Sequence, residues 1–315
     1  MDINYLLFLQ DFRNATDNIL TPFMNGTSDF AVSYLILLMA FLYWCYDKRR
    51  GLLIMAALCL SLAITAIVKL TACVYRPWIR DPRVIPAGKL PSSYSFPSGH
   101  TSTGTPIYLG AAIIFWQNKK TKILAVLCVI FALLTGFSRN YLGVHTPQDV
   151  FVGFVISIAC LYAVWKTGSY LQKHPEKENK ILLITALFCV LALIFTVYKS
   201  YPIDFDSNGN LLVDPKKMLK SSFESCGALF AFCVARYIEK TWIKFKATGL
   251  NIKGCVCGIL GLIPLSLMIT YCDKPLKHLL GYHWGHTAFM ASLVFYIIAL
   301  YPLVIKLVCC KKKSK

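Results

Sequence analysis

Charged residues are scarce in this chain. Only 15% of its 315 residues are Asp, Glu, Lys or Arg while 57% are hydrophobic, and a chain of this length with so little charge is too apolar to be a soluble domain. Acids are scarcer still, 15 against 33 Lys and Arg. Residues 1–29 lack the basic start and small-residue cleavage site of a signal peptide, so no leader is expected there. Disulfide logic is also missing. Most of the 13 cysteines, among them Cys59, Cys128, Cys160, Cys189 and Cys233, fall inside apolar runs, where a thiol is a small hydrophobe.

What is present in abundance is long apolar sequence. Runs at about 30–46, 51–75, 100–117, 123–138, 150–165, 181–198, 221–238, 254–272 and 284–310 each approach the roughly 20 residues of a spanning helix. The expected fold is an all-α polytopic transmembrane helix bundle of about nine spans. In residues 1–29, Tyr5, Phe8, Leu9 and Phe12, with Ile19 beyond, recur at helical spacing and predict an amphipathic interfacial helix. Residues 30–170 are then expected to be a catalytic helix bundle, and 171–315 additional spans with a basic tail.

Basic connections orient the bundle. Lys48-Arg49-Arg50, Lys119-Lys120-Lys122, the 166–180 and 239–253 linkers and the Lys311-Lys312-Lys313 tail share one side if the spans alternate, which predicts that side to be cytoplasmic. The opposite side receives the N-terminus and the 76–97, 139–149, 201–220 and 273–283 segments. Arg76, Arg80, Arg83, Lys89 and Arg139 also fall there, against the charge rule, and a phosphate site would explain them. Two further features are Cys309-Cys310 before the lysine tail, a palmitoylation pattern, and the sequons at Asn14 and Asn25.

The chemistry gathers between Lys69 and Asp149. A lysine near the end of an apolar helix is costly and by default functional. Arg76 follows seven residues later, near two helical turns, so both side chains can project from one face, with Pro77 marking the helix end. Each alone reads as a snorkelling or interfacial cation. Pro97-Ser98-Gly99-His100 has the form of a helix start, with Ser98 as N-cap and Gly99 admitting a ligand to free N–H groups. Arg139 offers a planar fork for phosphate oxygens. His145 then precedes Thr146-Pro147-Gln148-Asp149, a capped helix start in which Asp149 either caps or holds the imidazole with its other nitrogen free.

Three motifs on one membrane face supply complementary parts of one reaction. A metal bound by His100, His145 and Asp149 is the chemical rival, but Lys69, Arg76 and Arg139 would repel a divalent cation and favour a phosphate. Lys69 to Pro77, Pro97 to His100 and Ser138 to Asp149 match position for position the three-part signature of the type 2 phosphatidic acid phosphatase superfamily, over about a quarter of the chain. The sequence therefore resembles that superfamily, and the many spans point to its integral-membrane lipid phosphatases.

The resemblance implies that His145 is the nucleophile of a phosphohistidine, Asp149 its orienting partner and His100 the general acid. Lys69, Arg76, Ser98, Gly99 and Arg139 would bind the phosphoryl group, with no metal and no cofactor. A phosphorylated lipid is the implied substrate, as monoester or diphosphate. Phosphatidic acid, phosphatidylglycerol phosphate, undecaprenyl diphosphate and long-chain base phosphates all remain open. The rival class is a catalytically silent membrane scaffold or transporter, against which the intact His100, His145 and Asp149 argue. The expected location is a bacterial inner membrane or an endoplasmic reticulum membrane, with the site on the outer or lumenal face. No nucleic acid partner is expected.

Residues 181–315 carry no named catalytic motif. Gly285-His286-Thr287 repeats Gly99-His100-Thr101, and Lys274-Pro275 echoes Arg76-Pro77, but nothing answers to Arg139 or His145. The added helices are expected to shape a lipid-tail groove or the surface of a homodimer.

Overall fold

The computed structural model describes residues 2–88 and 90–309. Its helices are α1 (Asp2–Ala15), α2 (Thr21–Ser33), α3 (Leu35–Phe41), α4 (Lys48–Ala72), α5 (Pro77–Arg80), α6 (Gly99–Trp116) and α7 (Lys122–Tyr141). They continue with α8 (Pro147–Lys173), α9 (Glu178–Tyr198), α10 (Pro215–Ile238), α11 (Ile252–Tyr271), α12 (Asp273–Leu280), α13 (Tyr282–Phe295) and α14 (Tyr301–Cys309). Among the described residues there is no strand beyond one isolated bridge, Phe205 to Leu211. The protein is a polytopic membrane helix bundle.

Seven helices are long and apolar enough to cross a membrane, or eight if α2 and α3, bent by 43° at Tyr34, form one span. The remaining apolar run, 100–117, folds as α6, whose first two turns hold Gly99, His100, Thr101, Ser102, Thr103 and Thr105. Site residues dilute its hydropathy; its length is unaffected. Helices α4, α6, α7 and α8 pack on one another, and α10 packs against α4, α9 and α13.

Small and hydroxylated residues close α4, α6 and α8 together, as expected where lipid removes the hydrophobic drive between helices. Pro106 lacks the N–H that would bond the Ser102 carbonyl, and the Ser61 hydroxyl donates to that carbonyl instead at 3.2 Å. Ser61 also meets Ser157 at 3.0 Å, and Thr65 donates to the Ser102 hydroxyl at 2.9 Å, joining α4, α6 and α8. Gly153, one turn beyond Asp149, faces Thr101 and the Ser98 carbonyl, each 3.1 Å from where a Cβ would stand. That close approach brings the starts of α6 and α8 together.

The helix ends alternate. The C-termini of α4, α7 and α11 and the N-termini of α6, α8, α10 and α13 lie at one end of the bundle. The basic connections at 48–50, 119–122, 166–180 and 239–253 lie at the other. There Glu239, fully buried, pairs with Lys48 and Arg236 at 2.5 Å each, and Arg236 also reaches Glu178 at 2.8 Å. This network ties α4, α9 and α10. Glu224 and Arg236, the two charges inside run 221–238, are 12 residues or roughly 18 Å apart along α10, and Arg236 alone belongs to this network. Lys311 to Lys313 and the Cys309 and Cys310 side chains lie outside the described residues.

Helix α1 seats on the 80–88 loop and the end of α7. Arg13, buried, donates to the carbonyls of Tyr141 at 3.1 Å and Ile85 at 2.6 Å. Leu6 and Leu9 turn inward beside it, whereas Phe8 and Phe12 are 65% and 46% exposed. Leu9 therefore leaves the aromatic face on which the spacing grouped it. Arg80 and Arg83 pair with Asp2 and Asp81 at 2.9 and 2.7 Å; Lys89 lies outside the described residues.

Candidate active site

Lys69 closes the last turns of α4, and its ammonium is buried. Its three hydrogens go to the carbonyls of Tyr94, Ser95 and Pro97 at 2.9, 3.1 and 2.7 Å. Lys69, expected to bind the phosphoryl group, thus also pins the 94–97 loop. Helix α4 stops at Ala72, Cys73 takes a left-handed conformation, and Arg76 is extended ahead of Pro77. This corrects the expectation that Lys69 and Arg76 share one helical face. The helix ends four residues short of Arg76, and the guanidinium reaches the site from a loop.

Arg76 is held on three sides. It donates from Nε to the Ser93 carbonyl at 2.6 Å, from Nη2 to Ser93 Oγ at 2.6 Å and from Nη1 to the Val144 carbonyl at 2.8 Å. Nη1 also lies 2.9 Å from His145 Nε2. A guanidinium only donates, so Nε2 must be the acceptor and the imidazole proton must reside on Nδ1. Nδ1 faces Asp149 Oδ2 at 3.3 Å. His145 sits in the turn between α7 and α8, 1% exposed, with its carbonyl held by Asn140 Nδ2 at 2.9 Å. Burial first, then the charges of Arg76, Lys69 and Arg139, pull its pKa well below the ordinary histidine value. His145 is therefore a neutral base with a defined tautomer.

Asp149 performs both tasks that the sequence set against each other. Its Oδ2 accepts from Thr146 N at 2.8 Å while Thr146 Oγ1 accepts from Asp149 N at 3.4 Å, a capping box for α8. The same Oδ2 takes the hydroxyl of Ser95 and faces His145. Ser98 caps α6, its Oγ accepting from Thr101 N at 3.4 Å and Thr101 Oγ1 at 2.9 Å, and its own N–H donates to the Asp149 carbonyl at 2.9 Å. A Cβ on Gly99 would meet nothing within 4 Å, so a ligand can approach the backbone there.

Arg139, near the end of α7, donates from Nη1 to Ser28 Oγ at 2.5 Å, and its buried Nε has no hydrogen-bond partner. His100 lines a cavity of about 530 Å³ together with Lys69, Gly99 and Thr103. His145, Arg76 and Arg139 are not among the residues lining that cavity. All eight expected residues therefore gather at one end of the bundle.

Ser28, Ser93, Ser95 and Asn140 were not anticipated. Ser93 and Ser95 lie within the extended loop before the Pro97 motif, and a search for hydroxyls near the motifs could have found them. Ser28 comes from α2, more than 100 residues from Arg139, and carries no such signal. Among the described residues no group of three or more His, Cys, Asp or Glu could hold a metal ion.

An imidazole between a guanidinium and a carboxylate, a second histidine and further cationic side chains thus lie together at one end of apolar helices. Residues 50–173 match the model of the PAP2 superfamily. The chain is 28% identical over 158 residues to phosphatidylglycerophosphatase B of Bacillus subtilis, covering 48% of this chain and 74% of that one. It is 27% identical over 110 residues to the undecaprenyl-diphosphatase of Sulfolobus acidocaldarius (35% and 50%), and 36% identical over 92 residues to phosphatidylglycerophosphatase B of Escherichia coli K12 (28% and 36%). Two of these three alignments thus span half or less of the relative. No solved structure matches the chain. Residues 50–173 are thus similar to the PAP2 superfamily, and by class the protein is a membrane lipid phosphatase.

Proposed function

We propose that the protein removes phosphate from a phosphorylated lipid through a phosphohistidine on His145 Nε2. The observation that carries this reading is the pairing at His145, Arg76 on Nε2 and Asp149 on Nδ1, which prepares one lone pair beside a phosphate-binding cation. An incoming phosphate would draw the Arg76 fork onto its oxygens and release Nε2 to attack phosphorus. Arg139, whose Nε is unpartnered, takes a second oxygen, and Gly99 admits a third to the N-terminus of α6. Lys69 adds positive charge through the loop it pins, and Ser98 holds the helix start in place.

His100, facing the cavity, protonates the departing lipid alkoxide and then takes a proton from the water that attacks the phosphoenzyme. Three cations neutralise the developing charge, so no metal is needed. The site faces the outer or lumenal side, because the basic connections occupy the opposite end of the bundle. In this reading residues 30–170 do the chemistry, residues 171–315 shape the substrate's surroundings, and 1–29 brace the outer loop.

Inorganic phosphate released by the purified protein from a panel of lipid phosphates tests this. Release by the native protein and none by a folded His145→Ala variant is expected. Equal rates from the two would overturn it.

A further inference from the structure

The cavity that reaches His100 has a second wall, outside the superfamily match. On one side stand Lys69, Gly99, His100 and Thr103; on the other stand Lys220 and Glu224 of α10, Asp273 of α12 and His286 of α13. Below this polar mouth the cavity is apolar, lined by Leu58, Leu62, Ile107, Phe289 and Leu293 among others. Leu58 lies 11 residues down α4 from Lys69, roughly 16 Å. Headgroup-level polarity above and hydrocarbon below match the profile of one phospholipid.

The second wall is built around a buried histidine. His286, 2% exposed, places Nδ1 at 2.9 Å from Asp273 Oδ1 and 3.2 Å from Glu224 Oε1. Neither approach has hydrogen-bond geometry, and both His286 Nδ1 and Asp273 Oδ1 are buried without a hydrogen-bond partner. Buried polar atoms are rarely left so. Lys220 neutralises part of Glu224 at 3.6 Å, and Lys277, behind the wall, pairs with Asp273 at 2.6 Å.

We propose that Glu224 and Asp273, set on either side of His286, form a subsite that accepts hydrogen bonds from the hydroxyl- or amine-bearing part of the leaving group, and that this subsite selects monoesters of such alcohols over lipid diphosphates. The inference rests on the phosphatase reading and sets its substrate class. Sign of charge decides it. The wall near His100 is cationic and takes the scissile phosphate. The facing wall lines the cavity with two carboxylates and one lysine. A second phosphate between scissile phosphorus and chain would meet those carboxylates, whereas a glycerol hydroxyl or an amino group would donate to them. The partial echo of Gly99-His100-Thr101 at Gly285-His286-Thr287 thus serves recognition at the start of α13.

The test compares hydrolysis of a lysophosphatidic acid, a monoester with a free hydroxyl beside its phosphate and no second phosphate, with that of a polyprenyl diphosphate. The native protein should prefer the monoester. In Glu224→Gln/Asp273→Asn the ratio of the two kcat/KM values should fall about tenfold or more. A second measurement needs no variant: a dihydroxyalkyl phosphonate should inhibit the native protein more tightly than an alkyl methylenediphosphonate. An unchanged ratio, a loss shared equally by both substrates, or tighter inhibition by the diphosphonate overturns the subsite. Failure of the native protein to hydrolyse any phosphate ester would instead overturn the phosphatase reading on which the subsite rests.

Discussion

Arg76 Nη1 lies 2.9 Å from His145 Nε2, so the cation suited to bind phosphate covers the nitrogen suited to attack it. Two consequences follow from the electrostatics of that contact. Arg76 disfavours the imidazolium, and it must leave Nε2 for a phosphate before reaction.

The acid limb of activity should report the first. In the proposed scheme His145 reacts as a neutral imidazole, and its folded pKa lies below the ordinary value of about 6.5. The acid limb of kcat/KM that belongs to it should therefore fall below that pH. Arg76→Gln removes one of the depressing charges, so the limb should move to higher pH while activity falls. Arg76→Lys keeps the charge and should leave the limb in place, although loss of the fork costs phosphate binding. A limb that moves downward in Arg76→Gln would contradict this electrostatic account.

The two histidines separate by leaving group. His100→Ala should lose about 10²–10⁴-fold on a lipid phosphate, whose alkoxide needs a proton, and much less on p-nitrophenyl phosphate. His145→Ala should fail on both. Equal losses for His100→Ala across the two substrates would show that His100 is not the acid.

Ser28 is expected to matter although it touches no substrate. Its hydroxyl anchors Arg139 from α2, and Ser28→Ala frees that guanidinium to leave the phosphate position. The expected result is a kcat/KM loss of about three- to tenfold with a matching weakening of vanadate inhibition. Unchanged vanadate affinity would assign Ser28 to packing alone.

How far the sequence carried depends on the range of the contact. The caps at Ser98 and Thr146 are set within four residues, and both appear as the residue types predict. Helices α4 and α6 to α11 each contain one of the apolar runs, because lipid demands long, internally bonded helices. Contacts between distant segments were not legible. Nothing local to Arg139 names Ser28, and the spacing of Lys69 to Arg76 suggested two helical turns where the chain turns at Cys73 instead. Lys69 was readable as functional from its cost in an apolar helix, but its three carbonyl partners belong to a loop whose path only the fold defines.

Chelation distinguishes the proposed chemistry from metal catalysis. Lys69, Arg76 and Arg139 supply the charge that a metal would otherwise provide, so hydrolysis should persist in excess chelator. Vanadate, which adopts the geometry of pentacoordinate phosphorus, should inhibit. Activity lost in chelator and restored by magnesium would contradict the scheme.

The central claim is that phosphate passes through His145. Brief reaction with a lipid substrate carrying labelled phosphate, followed by denaturation in alkali, should leave label on the native protein that acid then removes, as a phosphoramidate requires. His145→Ala should retain none while His100→Ala retains it, because only the first lacks the nitrogen that bonds phosphorus. Label surviving in folded His145→Ala, or none trapped on the native enzyme or on His100→Ala during turnover, would contradict the account.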